Sequence, residues 1–156
     1  IAKLNKKIMR IRLATEDDKY IITNFQVKMA KETEDIDLDP DIVENGVMSV
    51  FQDSHKGKYL VAVNNEQVIA SLLLTYEWSD WRNAVVLWIQ SVYVLPEFRG
   101  KGIFRLLYDY VQNIAKEDDN VSGIRLYVDK TNTNAMKVYS AIGMNGEHYN
   151  VFEWMK

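Results

Sequence analysis

The chain reads as a single mixed α/β domain: a central, mostly antiparallel sheet with helices on both of its faces. Three observations predict it. Val68–Leu74 and Ala84–Ile89 are largely apolar runs, as expected of strands covered on both sides. Ile103, Leu106, Leu107, Tyr110, Val111 and Ile114 recur at helical spacing, so one helix lays an apolar stripe against that sheet. The pair Asn64-Asn65 separates two strand-like segments and marks an antiparallel hairpin.

Taken in order, Ile11 and Leu13 alternate with Arg10 and Arg12 as a first strand. Thr15-Glu16-Asp17-Asp18 then has the form of a capping box with Asp in the Glu position, opening a helix striped by Ile22, Phe25 and Met29. Asp35 to Pro40 breaks that helix, and a shorter one follows with Ile42, Val43, Val47, Val50 and Phe51 inward. Lys58–Val63 and Gln67–Tyr76 form the hairpin strands, and Ser79–Asn83 leads to the next strand, Ala84–Leu95. After the striped helix, Ile124, Leu126 and Val128 alternate as a fifth strand. Ala135, Val138, Tyr139 and Ile142 stripe a short helix stopped by Gly143, and Tyr149–Trp154 closes the sheet as one or two edge strands.

Composition narrows the class. The 156 residues suit one domain, able to bury about two thirds of the surface of its unfolded chain. Residues 8–156 are expected to form that domain, and residues 1–7 an N-terminal extension that is vector-derived or disordered. Zero cysteines remove disulfides, thiolate metal sites and a cysteine nucleophile, and no carboxylate cluster has the spacing of a metal site, so no metal is expected. A net charge of −3 speaks against a nucleic-acid binder. No apolar run is long enough to span a bilayer and no signal-peptide pattern opens the chain, so no membrane partner is expected and a cytoplasmic location is the simplest reading. Charge is unevenly spread: Lys3, Lys6, Lys7, Arg10 and Arg12 make the start basic, while Glu32 to Glu44 holds seven carboxylates and no cation.

The most informative stretch is Val92 to Leu107, where an apolar strand runs into the Gly- and Arg-rich turn that opens the striped helix. Gly100 and Gly102 let the backbone approach a ligand. The first turn of the helix offers N–H groups and a partial positive charge, and Arg99, Lys101 and Arg105 add cations, which together suit a phosphate. Arg99-Gly100-Lys101-Gly102-Ile103-Phe104 resembles the acyl-CoA pyrophosphate loop of the GNAT superfamily of N-acetyltransferases, with Phe104 where that family usually has Gly or Ala. Asn132-Thr133-Asn134-Ala135 through Tyr139 to Gly143-Met144 resembles a second segment of the same family, Met144 replacing its aromatic.

The resemblance implies a splayed, seven-stranded sheet with about four helices, acetyl-CoA as co-substrate, and an amine acceptor. It places main-chain bonds to the pantetheine arm on the strand carrying Val92, Tyr93 and Val94, and a further contact at Asn132, which equally suits a helix cap. Tyr139 takes the part of the acid that protonates the departing thiolate, or is a plain core tyrosine. Gln90 stands where some relatives carry a Glu base, so Glu77, Glu34 or a water chain is left for that role. Glu32, Gln90 and the aromatic pair Trp78 and Trp81 are candidates for the acceptor mouth, the tryptophans also suiting a loop-pinning cluster or a homodimer contact. A non-catalytic acyl-CoA-binding module of the same fold is the competing reading.

Overall fold

The computed structural model describes residues 9–156; the expected extension 1–7, with Lys3, Lys6 and Lys7, lies outside the described residues. The chain divides into two compact units, the first ending at Arg125 and the second running from Leu126 to Lys156.

The first unit contains β1 (Met9–Leu13), α1 (Lys19–Glu34), α2 (Pro40–Gln52), β2 (Lys58–Asn64), β3 (Gln67–Ser79), β4 (Ala84–Val94), α3 (Ile103–Glu117) and β5 (Val121–Arg125). The strands follow chain order across one sheet. The first three pairings are antiparallel, while β4 and β5 pair in parallel from Val85↔Val121 to Trp88↔Arg125. Five strands among the described residues replace the expected seven. Tyr149–Trp154, expected to close the sheet as one or two edge strands, is irregular chain that leaves Phe152 93% and Trp154 86% exposed.

Local chemistry sets the helix ends. Thr15 N–H donates to Asp18 Oδ2 at 2.8 Å ahead of α1, and Asp35 closes that helix in the left-handed region at φ 54°. Pro40 opens α2 behind Asp39, whose Oδ1 accepts from Asp41 N–H at 2.9 Å. Ile22, Val47, Tyr59, Val61 and Val63 form a buried cluster with Val43, Val50, Phe51 and Leu73 packed against it, so α1 and α2 cover one face of the sheet.

Periodicity misplaces side chains on both α2 and α3. Ile42, in the first turn of α2, is exposed, and so is Leu106 on α3, where Ile103, Leu107, Tyr108 and Val111 turn inward. The Tyr108 ring offers more area to the sheet than Leu106 would. Strand limits also move. The β2–β3 turn is Asn65-Glu66, both at positive φ, one residue later than expected; β3 extends to Ser79; and β5 begins at Val121, where Val85 N–H already bonds the Asn120 carbonyl at 2.8 Å.

One irregularity shapes β4. Ser71 faces Tyr93 and Leu73 faces Gln90, so three steps on β4 match two on β3. Ser91 absorbs the extra residue at φ 51°, a left-handed conformation unusual outside glycine. Gln90 and Tyr93 consequently share the sheet face that α1 and α2 cover.

The second unit holds α4 (Thr133–Ala141), with irregular chain before and after it. Residues Leu126 and Val128, expected in the fifth strand, belong to this irregular chain.

Candidate active site

The β4–α3 junction has the geometry that its glycines predict. After a 3-10 turn at Pro96–Phe98, Gly100 and Gly102 adopt φ of 71° and 77°, and a Cβ at either would meet nothing within 4 Å. Gly102 is the N-cap of α3 and supplies no side-chain cap, the first bond of the helix running from Leu106 N–H to the Gly102 carbonyl. The opening turn of α3 therefore presents backbone donors and the positive end of its dipole beside open space, a setting suited to a phosphate group. Ile103 is a core residue, 4% exposed, that anchors the turn. Phe104 turns along its own helix to stack on Tyr108 at a centroid distance of 6.2 Å. Lys101 and Arg105 are exposed, with Lys101 Nζ 5.4 Å from the Phe98 ring.

Arg99 has partners within the protein. Its Nη2 donates to Glu32 Oε2 at 2.6 Å, its Nε to the Val94 carbonyl at 2.8 Å, and its guanidinium lies 5.3 Å from the Tyr93 ring centroid. Tyr93 Oη donates to the other Glu32 oxygen at 3.0 Å, and its ring packs on Phe25 of α1 at 5.0 Å. Burial opposes ionisation of Glu32, but the Arg99 and Tyr93 hydrogen bonds outweigh it and hold the carboxyl below the usual range. The Tyr93 phenol is raised, first by burial and then by its hydrogen bond to Glu32. Tyr93 is thus a buried side chain with its own partners, flanked by half-buried Val92 and Val94.

A second polar group occupies the same sheet face nearer the β3–β4 turn. Glu77 accepts from Trp88 Nε1 at 2.5 Å and pairs with Arg125, while Gln90 Nε2 donates to Thr75 Oγ1 at 2.5 Å. Trp88, Arg125 and Thr75 do not stand out in the sequence; the alternation of Thr75 with Glu77 is the one local signal that they share a face. Trp78 and Trp81 are 61% and 90% exposed, so Trp81 does not pin its turn to the sheet.

The acidic run is less uniform than its sequence suggests. Glu32 binds Arg99, Asp35 and Asp37 bind Lys31, Glu44 binds Lys19, and Asp39 caps α2. Glu34 is exposed in the last turn of α1. In the second unit, Asn132 Oδ1 accepts from Ala135 N–H at 3.0 Å and so caps α4. Tyr139 is half-buried, and burial raises its phenol above the usual value, which favours the protonated form. Among the described residues no His, Asp or Glu group is arranged to hold a metal ion, and no helix is long and apolar enough to cross a membrane.

Comparison with known proteins bears on this geometry. The profile of the Acetyltransferase (GNAT) family matches residues 24–144. A crystal structure described as that of a possible acetyltransferase from Clostridium difficile 630 superposes with a TM-score of 0.88 and 45% identity, covering 96% of this chain and 99% of the other. An aminoglycoside N-acetyltransferase solved in complex with CoA shares the fold at a TM-score of 0.79 and 16% identity, covering 99% of each chain. Thialysine N-epsilon-acetyltransferase of Bos taurus is 33% identical over 76 residues, which span 49% of this chain and 44% of the bovine protein, less than half of its length. With the family profile spanning both the Gly100/Gly102 turn and the Asn132–Tyr139 segment, the chain belongs to the GNAT family of acetyltransferases.

Proposed function

We propose that this protein transfers the acetyl group of acetyl-CoA directly to a primary amine. The observation that carries the reading is the Gly100/Gly102 turn, open beside both glycines and leading into the uncapped start of α3. Its main-chain N–H groups would hold the pyrophosphate, with Lys101 and Arg105 supplying charge. Val92 and Val94 on β4 are the proposed main-chain partners of the pantetheine arm, and Asn132 a further contact.

In the transfer, the neutral amine attacks the thioester carbonyl, a C–N bond forms, the C–S bond breaks, and the nitrogen gives up one proton. The leaving thiolate takes a proton in return. Tyr139 is the proposed donor, supported by its place in the family motif and by a phenol that burial keeps protonated. Glu34, Glu77 or water takes the proton from the acceptor. Glu77 is bound by Arg125 and Trp88, which makes it a better fixed charge than a mobile base. The aromatic rings of Trp78 and Trp81, together with Glu32 and Gln90, are the proposed acceptor contacts. The bovine relative is named for acetylating an ε-amino group, which fits a flexible primary alkylamine as acceptor.

Titration calorimetry with acetyl-CoA, followed by thiol release across a panel of primary amines, tests the reading. Binding with turnover of at least one amine is expected. Binding without turnover of any would leave an acyl-CoA-binding module, and no binding would remove the proposal.

A further inference from the structure

The contact between Glu32 and Arg99 joins the end of α1 to the start of the Gly100/Gly102 turn. Arg99 immediately precedes the Gly100/Gly102 turn, and Glu32 lies in the last turn of α1, where the chain leaves for α2. The contact is a direct ion pair, yet both side chains are close to half exposed, at 47% and 40%, so a competing ion can reach it. The two ends are held differently. Arg99 is tethered through Nε to the Val94 carbonyl and engages Glu32 through its outer Nη2 edge. Glu32 rests its second oxygen on Tyr93 Oη, itself fixed by packing on Phe25. If the guanidinium edge turns away, Tyr93 still holds the carboxylate in place with one oxygen exposed.

Resting on the acetyltransferase reading above, we propose that Glu32 is a specificity-determining residue for cationic acceptors, held by Arg99 until the acyl donor's pyrophosphate takes the guanidinium in its place. A pyrophosphate offers Arg more charge and more acceptor oxygens than one carboxylate, which drives the exchange. The freed Glu32 oxygen then accepts from an ammonium. A cationic amine gains this contact only after the donor is bound, whereas a neutral amine gains nothing from it. Because the pair must be broken, part of the donor's binding energy is used in separating Arg99 from Glu32.

CoA binding to wild type, E32Q, R99A and the E32Q/R99A double variant separates exchange from simple bracing. Exchange predicts that E32Q binds CoA about threefold tighter, the size of a half-exposed ion pair removed from competition. R99A should bind more weakly, and adding E32Q to R99A should change nothing further. Glu32→Asp, too short to reach Arg99 and Tyr93 together, should shift CoA affinity in the same direction as E32Q. In steady state, E32Q should raise KM for a diamine severalfold and leave KM for an uncharged amine unchanged. A bracing role would instead make E32Q bind CoA more weakly and affect both amines alike. Wild-type binding of CoA with E32Q unchanged or weaker overturns the exchange alone, as does tightening that persists in R99A. Wild-type protein that binds no CoA removes the acetyltransferase reading and the exchange with it.

Discussion

Gly57 faces the carbonyl oxygen of Leu74 so closely that a Cβ at position 57 would stand 2.3 Å from it, at a φ of 146° that side chains avoid. The neighbour is backbone of β3 in the middle of the sheet, so it cannot swing aside. Gly57→Ala should cost about 3 kcal/mol or more in urea unfolding. Gly46, within α2, has nothing within 4 Å of a built Cβ. Gly46→Ala should stabilise by about 0.5–1 kcal/mol, and equal effects at the two sites would contradict the packing described here.

Asp18 should make stability depend on acid pH. Burial disfavours its charge, but bonds from Arg12 at 2.7 and 2.9 Å and from Thr15 N–H prevail and lower its pKa. A carboxyl depressed in the folded state adds stability above its unfolded pKa, near 3.9, and loses it as pH falls through the folded value. Asp18→Asn should therefore cost about 1–3 kcal/mol at pH 7 and progressively less toward pH 2. A pH-independent difference in urea midpoints would assign the loss to packing instead.

Gly102→Val should weaken acetyl-CoA binding more than Arg99→Ala does. The valine brings a branched side chain into the left-handed N-cap of α3, whereas Arg99 already has a partner in Glu32, so its removal should cost only about 1 kcal/mol. Calorimetry on both variants gives the order directly. The reverse order would make the Arg99 side chain, rather than the turn, the main hold on the pyrophosphate.

Tyr139→Phe should lower turnover by about 10²-fold while leaving acetyl-CoA affinity unchanged, if the phenol is the proton donor. Thermal melting and single-turnover rates distinguish this from a packing role, in which the variant would melt earlier yet keep its activity per folded molecule.

Much of the architecture was legible because it follows from periodicity. The β2–β3 hairpin, the two-sided burial of β3 and β4, and the helix opened by Gly102 all depend on patterns within about a dozen residues. What escaped depends on partners far apart in the chain. The run from Glu32 to Glu44 reads as a uniform negative patch, yet Glu32 is paired with Arg99, 67 positions on. Glu77 reads as an available base, yet Arg125 holds it from across the β4–β5 ladder. Leu126 to Val128 alternates like a strand, but the ladder starts early at Val121 and ends at Arg125. The β4 irregularity carries no glycine to betray it, since Ser91 itself takes the left-handed turn.

That serine splits β4 into two blocks of opposite phase, and the phase belongs to the residue count as well as to residue type. Deleting one position near Ser91 would restore simple alternation and send every following side chain to the other side of the sheet. Tyr93 would leave Phe25 and Glu32, Val92 and Val94 would exchange sides with it, and Arg99 would lose the aromatic face it lies over. A single-codon deletion here would therefore do more harm than most substitutions in β4. Among relatives, a strand one residue shorter at this place would need its aromatic moved by one position to keep the same contacts, so gap placement in an alignment can be read as structural information.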